Sequence, residues 1–120
     1  MNEELKSNAM DMITFDEFLK VDIRTGTIIS AERIEKSKKL LKLQVDFGDL
    51  GMRTILAGIG DKFNPENIVN YQALFVVNLP SKEIAGHMSE GMILAVPTIT
   101  KDLWLPGRWH DNVKNGTRLT

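Results

Sequence analysis

Apolar and polar side chains alternate without a break from residue 41 to residue 47. Leu41, Leu43, Val45 and Phe47 fall on one side, and Lys42, Gln44 and Asp46 on the other. A period of two marks a strand with one buried face. The alternation stops at Gly48-Asp49-Leu50-Gly51, a hairpin loop whose partner strand runs from Met52 to about Ala57. Upstream, residues 21 to 34 are rich in Val, Ile and Thr and read as one long strand. Val21, Ile23, Thr25, Thr27, Ile29 and Ala31 occupy one face, opposite Asp22, Arg24, Gly26, Ser30 and Glu32, and Gly26 is expected to let the strand bend. Downstream, Ala73 to Val77 and Met92 to Val96 are continuous apolar runs of strand length and read as buried strands.

Helical signals are short. Thr14 and Glu17 form an S/T-x-x-E capping box flanked by Ile13 and Phe18 at hydrophobic-staple positions, which predicts one or two turns. Asn64-Pro65-Glu66 supplies an N-cap, a first-turn proline and an early acid for a short helix to about Val69. The order is three strands, a short helix, then two strands. That is an all-β chain, and with a long first strand it fits a five-stranded OB-fold Greek-key barrel with a short helix between strands 3 and 4. Residues 1 to 11 show no periodicity and are expected to form a flexible leader; residues 12 to 120 are expected to form one domain. The tail is irregular around Pro97, Pro106 and Gly107 and carries Trp104 and Trp109, expected to cover the barrel end, join a subunit contact or stack on a ligand.

Composition removes several function classes. The 120 residues contain no cysteine, so disulfides, thiolate metal sites and cysteine nucleophiles are impossible. His87 and His110 are the only imidazoles, and no serine-hydrolase elbow, phosphate loop or zinc-protease motif occurs. The expectation is a non-enzymatic protein without metal or cofactor. No apolar stretch is long enough for a membrane helix and the N-terminus lacks a signal core, so a cytoplasmic location without membrane partners is expected. The formal charge of −1 hides an uneven distribution: the ten residues from Arg33 to Lys42 hold a third of the basic side chains and only one acid. Such a patch attracts polyanions whatever the total charge. On an OB barrel it falls in the loop joining the first two strands, at the rim of the ligand face, where lysines would meet phosphates without reading sequence. Arg24, Asn78 and Ser89 at strand ends are candidate base contacts. Each has a structural alternative: a surface ion pair, a turn residue before Pro80, and a cap.

Five segments in order carry a resemblance. Phe18 to Gly26, Lys39 to Gly48, Ala57-Gly58-Ile59, Asn78-Leu79 and Ser89-Glu90-Gly91-Met92 resemble the successive motifs of the tRNA-binding OB domain, and Val113 to Leu119 resembles its closing segment. That family occurs free-standing, at the C-terminus of methionyl-tRNA synthetases, in synthetase-associated cofactors and in a secretion-chaperone branch. The resemblance implies a homodimer that binds tRNA by backbone and shape. It places Arg24, Lys39, Lys42, Asn78, Ser89, Glu90 and Met92 along the RNA face, with Lys36, Lys38 and Lys82 adding charge nearby. It also implies an aminoacyl-tRNA synthetase as a possible partner. Pro80 to Gly86 is poorer in cations than many tRNA-binding members and resembles the chaperone branch, for which the ligand would be an unfolded polypeptide; Lys39-Leu40-Leu41 and Gly91-Met92 resemble the synthetase-appended branch.

Overall fold

The alternation at residues 41 to 47 becomes the second strand of a barrel. Leu41, Leu43, Val45 and Phe47 are completely buried, while Lys42, Gln44 and Asp46 point outward. The computed structural model describes residues 10–107, 109 and 111–120; residues 1–9 of the expected leader and His110 lie outside the described residues. Five strands form the main antiparallel sheet: β1 (Ile23–Arg33), β2 (Leu41–Asp46), β3 (Met52–Ala57), β4 (Gln72–Val76) and, closing it, β7 (Met92–Ile93), in the order β3-β2-β1-β4-β7. This is the all-β, nearly closed Greek-key barrel of the OB type that the strand order predicts. Between β4 and β7 lies a hairpin of β5 (Lys82–Ile84) and β6 (His87–Ser89), and after the barrel comes a ribbon of β8 (Val96–Pro97) and β9 (Leu103–Trp104).

The core gathers Ile28, the β2 residues, Ile55, Ala57, Ile59, Ile68, Ala73, Phe75, Val77 and Leu105. At its centre Phe47 and Phe75 meet edge to face with ring centroids 5.2 Å apart, the arrangement that aromatic quadrupoles favour. Helix α1 (Phe15–Leu19) starts at the expected capping box: Glu17 N donates to Thr14 Oγ1 and Thr14 N donates to Glu17 Oε1. Ile13 and Phe18 nevertheless remain exposed. The turn at Asn64 is a single 3-10 turn over Pro65–Asn67, and the Asn64 side chain does not cap it; Asn64 Oδ1 accepts from Arg33 instead.

Two expectations need correction. On β1 the buried isoleucine is Ile28, which shares the inward face with Gly26, whereas Ile29 is exposed as the extra residue where the register with β2 shifts between Ile28 and Ser30. An extra residue in one strand reverses which face the following side chains use. Gly26 does not mark the irregularity: its pairing with Ala73 is regular, and a Cβ there would lie 2.7 Å from the Phe47 and Val45 side chains. The glycine makes room for the core. In addition, Met92 to Val96 is not one buried strand. Only Met92–Ile93 pairs with β4, Met92 and Val96 are exposed, and Val96 turns to pair with Trp104.

Candidate nucleic-acid interface

The basic segment between β1 and β2 is a bonded turn. Ile34 is buried and anchors it, Ser37 N donates to Ile34 O at 3.1 Å, and Leu40 N donates to Ser37 Oγ at 3.1 Å. Lys36 takes a left-handed backbone conformation (φ 73°) at the apex. Gly60 N donates to Lys39 O at 2.6 Å, and a Cβ at Gly60 would lie 2.8 Å from that oxygen, so only glycine lets the two loops meet this closely. Arg33 Nη1 donates to Gly60 O at 2.8 Å. Arg33 is thus spent on joining the loops. Lys36, Lys38 and Lys39 project into solvent, and among the described residues no carboxylate forms an ion pair with them or with Lys42. Lys42 lies on the outer face of β2, opposite Leu56 of β3 on one side and Glu32 of β1 on the other.

Four of the residues that the resemblance assigns to the RNA face have their polar atoms engaged within the protein. Arg24 grips Asp22 through Nε (2.9 Å) and Nη2 (3.1 Å) and donates from Nη1 to Gly116 O; the hydrogen bonds to Asp22 raise its pKa further. Asp22 Oδ1 also forms an ion pair with Arg118 Nε at 3.6 Å. Asn78 ties two segments together, accepting from Asp22 N at 3.0 Å and donating to Lys20 O at 2.5 Å. Ser89 and Glu90 form the barrel seam. The backbone N–H groups of Leu56 and Thr54 on β3 donate to Ser89 Oγ (3.0 Å) and Glu90 Oε1 (2.9 Å), and Glu90 N donates to Thr54 O at 2.8 Å. These side chains stand where a continuous ladder would otherwise close the sheet. Replacing Ser89 by Ala leaves the buried Leu56 N–H without its acceptor and is expected to lower stability in urea denaturation by about 1–3 kcal/mol. An unchanged midpoint would show that the seam does not depend on this hydroxyl.

Lys82 and Met92 face a cleft of about 390 Å³ between β3 and the β5–β6 hairpin, which Leu56, Leu79, Pro80 and Ile84 also line. Sequence reasoning missed Leu56, Leu79 and Ile84 here because the hairpin that makes the cleft has a weak turn signal. A second apolar groove, about 470 Å³, lies on α1 and the start of β1, lined by Phe15, Phe18, Leu19, Val21, Ile23 and Leu119. Trp104 is exposed, and Trp109 donates from its indole to Gln72 Oε1 at 2.6 Å. His87 is partly buried on β6, and no group of three or more metal-ligating side chains occurs among the described residues. No helix of the described residues is long and apolar enough to cross a membrane.

Residues 23–118 match the family model described as "Putative tRNA binding domain". A methionine–tRNA ligase of Methanococcoides burtonii is 52% identical over 85 residues, which cover 71% of this chain and 12% of that protein. The chain therefore spans about an eighth of that relative's length. Among solved structures, the MetRS-related protein from Pyrococcus horikoshii superposes with a TM-score of 0.84 at 37% identity, covering 92% of this chain and 100% of that one. The chaperone CsaA from Bacillus anthracis superposes with a TM-score of 0.79 at 36% identity, again over 92% of this chain and 100% of that one.

Proposed function

Because the chain belongs to the tRNA-binding domain family, we propose that it binds folded tRNA through backbone and shape contacts, with no catalytic step of its own. The observation that carries this reading is the β1–β2 turn, which holds Lys36, Lys38, Lys39 and Lys42 at one end of the barrel with no internal ion pair among the described residues. Free cations release phosphate counterions on binding, whereas paired ones first have to surrender their acids. Lys82 and Met92 extend the contact along the cleft. Arg24, Asn78, Ser89 and Glu90 act on the RNA face by holding its strands and seam in place.

A homodimer belongs to the same proposal. The α1 groove presents Phe15, Phe18 and Leu19 to solvent, an apolar surface that a second copy would cover, and pairing would place two basic turns on one particle. The setting is cytoplasmic, and an aminoacyl-tRNA synthetase is a fitting partner. A second reading, binding of unfolded polypeptides, is favoured by the exposed Leu79, Met88 and Met92 around a segment whose only cation is Lys82.

Titration with total tRNA and with a denatured polypeptide across a salt series separates the two readings. The tRNA reading predicts tRNA affinity that falls linearly with the logarithm of salt concentration, with little polypeptide binding. Polypeptide binding that is insensitive to salt, without tRNA binding, contradicts it. Sedimentation of the same samples should give twice the monomer mass; a monomer at micromolar concentration contradicts the dimer.

A further inference from the structure

The cleft beside β3 has features that backbone recognition alone does not require. Its floor is Leu56, which is only 6% exposed although it lies on the outer face of the barrel and outside the main core cluster. The outward direction follows from register, because Leu56 pairs with Lys42 and directly opposed residues of an antiparallel pair share a face. Lys42 is thus the cross-strand neighbour of the floor residue, on β2 just outside the cleft lining. On the other side, β5 places Lys82 and Ile84 toward the cleft. Alternation turns the intervening Glu83 away, opposite the exposed Met88. The walls are Leu79, Pro80 and Met92, and Leu79 and Met92 are about half exposed. An apolar slot with one cation on each side, with Glu83 turned away and Glu32 set beyond Lys42 on β1, matches a flat apolar group carried between two negative charges.

We propose that this cleft takes one unstacked nucleobase of the bound RNA, with Lys42 and Lys82 meeting the phosphates on its two sides. This rests on the RNA reading above and adds a base contact to it. The volume of about 390 Å³ lies at the small end of the ~300–1,000 Å³ range of ligand pockets, which suits a single base and not a helix. The slot has no aromatic platform, so the base packs on Leu79, Pro80 and the polarizable Met92 thioether, and every base can use it.

The test compares a single-stranded adenine RNA hexamer with an abasic chain bearing the same phosphates, with total tRNA titrated in parallel. The wild-type protein should bind the hexamer about five- to tenfold more tightly than the abasic chain, a smaller gain than aromatic stacking gives. Met92→Ser should bring that ratio close to one without changing the salt slope. Combined Lys42→Ala and Lys82→Ala should lower the slope by about one to two while keeping the ratio. As a readout free of any folding defect, the Met92 methyl resonance of the wild-type protein should shift with the hexamer and stay in place with the abasic chain. Retained tRNA binding with a wild-type ratio of one overturns the base slot and leaves the tRNA reading standing; loss of all RNA binding overturns both. A methyl shift produced by an unfolded apolar peptide and not by the hexamer makes the cleft a peptide pocket and also overturns the proposal.

Discussion

Replacing Lys36, Lys38, Lys39 and Lys42 together by alanine should weaken tRNA binding by about thirtyfold to several hundredfold, taking about 0.5–1 kcal/mol for each exposed phosphate contact. The slope of log affinity against log salt should become shallower by about three to four, because each contact that is lost no longer releases a counterion. All four side chains lie outside the core and none makes an ion pair with a described residue, so their removal breaks no ion pair among the described residues. Stability should stay within about 0.5 kcal/mol of the parent, which separates lost binding from lost folding. Affinity and slope that both stay at the parent values would remove the turn from the interface.

The largest effect on stability is expected at Phe47. Its ring is completely buried, meets Phe75 edge-on at 5.2 Å, and lies 6.0 Å below the Arg53 guanidinium. On its remaining side the backbone of Gly26 approaches so closely that no side chain stands there to fill a vacated space. Phe47→Ala therefore leaves a cavity that its neighbours cannot close, and it should cost about 3–5 kcal/mol in urea denaturation. That is a large share of the ~5–15 kcal/mol available to a small domain. A loss below about 1 kcal/mol would mean that the barrel centre collapses around the gap. The same experiment on Ile29, exposed at the bulge itself, should give little change, and the contrast between the two residues tests the inside-outside assignment of β1 and β2.

Local order governs what the amino-acid pattern reveals. The Leu41 to Phe47 alternation and the Thr14–Glu17 box need only neighbouring residues, and both are present; the short helix expected from Asn64 to about Val69 shrinks to one uncapped 3-10 turn over Pro65–Asn67. The bulge at Ile28–Ser30 depends on how β1 pairs with β2, a non-local matter that the alternation along β1 does not reveal. The β5–β6 hairpin carries little sequence signal because its two-residue turn is Ala85-Gly86, with φ of 51° and 83°, whereas such turns usually announce themselves by Asn-Gly or Asp-Gly. In the site, the lysine cluster is contiguous and therefore visible. Ser89 and Glu90 are different: their place in the seam appears only when β3 is brought against the end of β6 and the residue after it. The ion pair given as the structural alternative for Arg24 is present, whereas Asn78 is not held as a turn residue: its side chain links the segment after β4 to Lys20 and Asp22, more than fifty residues away.

One end of the barrel is thus proposed to meet the polyanion while the other does not. Lys114 supplies the internal control, because it lies by Asp49, beyond the far end of β2, and that end is itself about 13 Å from Lys42 at the rise of a strand. The most direct measurement is lysine-by-lysine reactivity toward an amine-modifying reagent, read by mass spectrometry with and without bound tRNA. The account predicts that Lys36, Lys38, Lys39, Lys42 and Lys82 lose reactivity on binding while Lys114 keeps it. Protection of Lys114 with the turn lysines left fully reactive would contradict it.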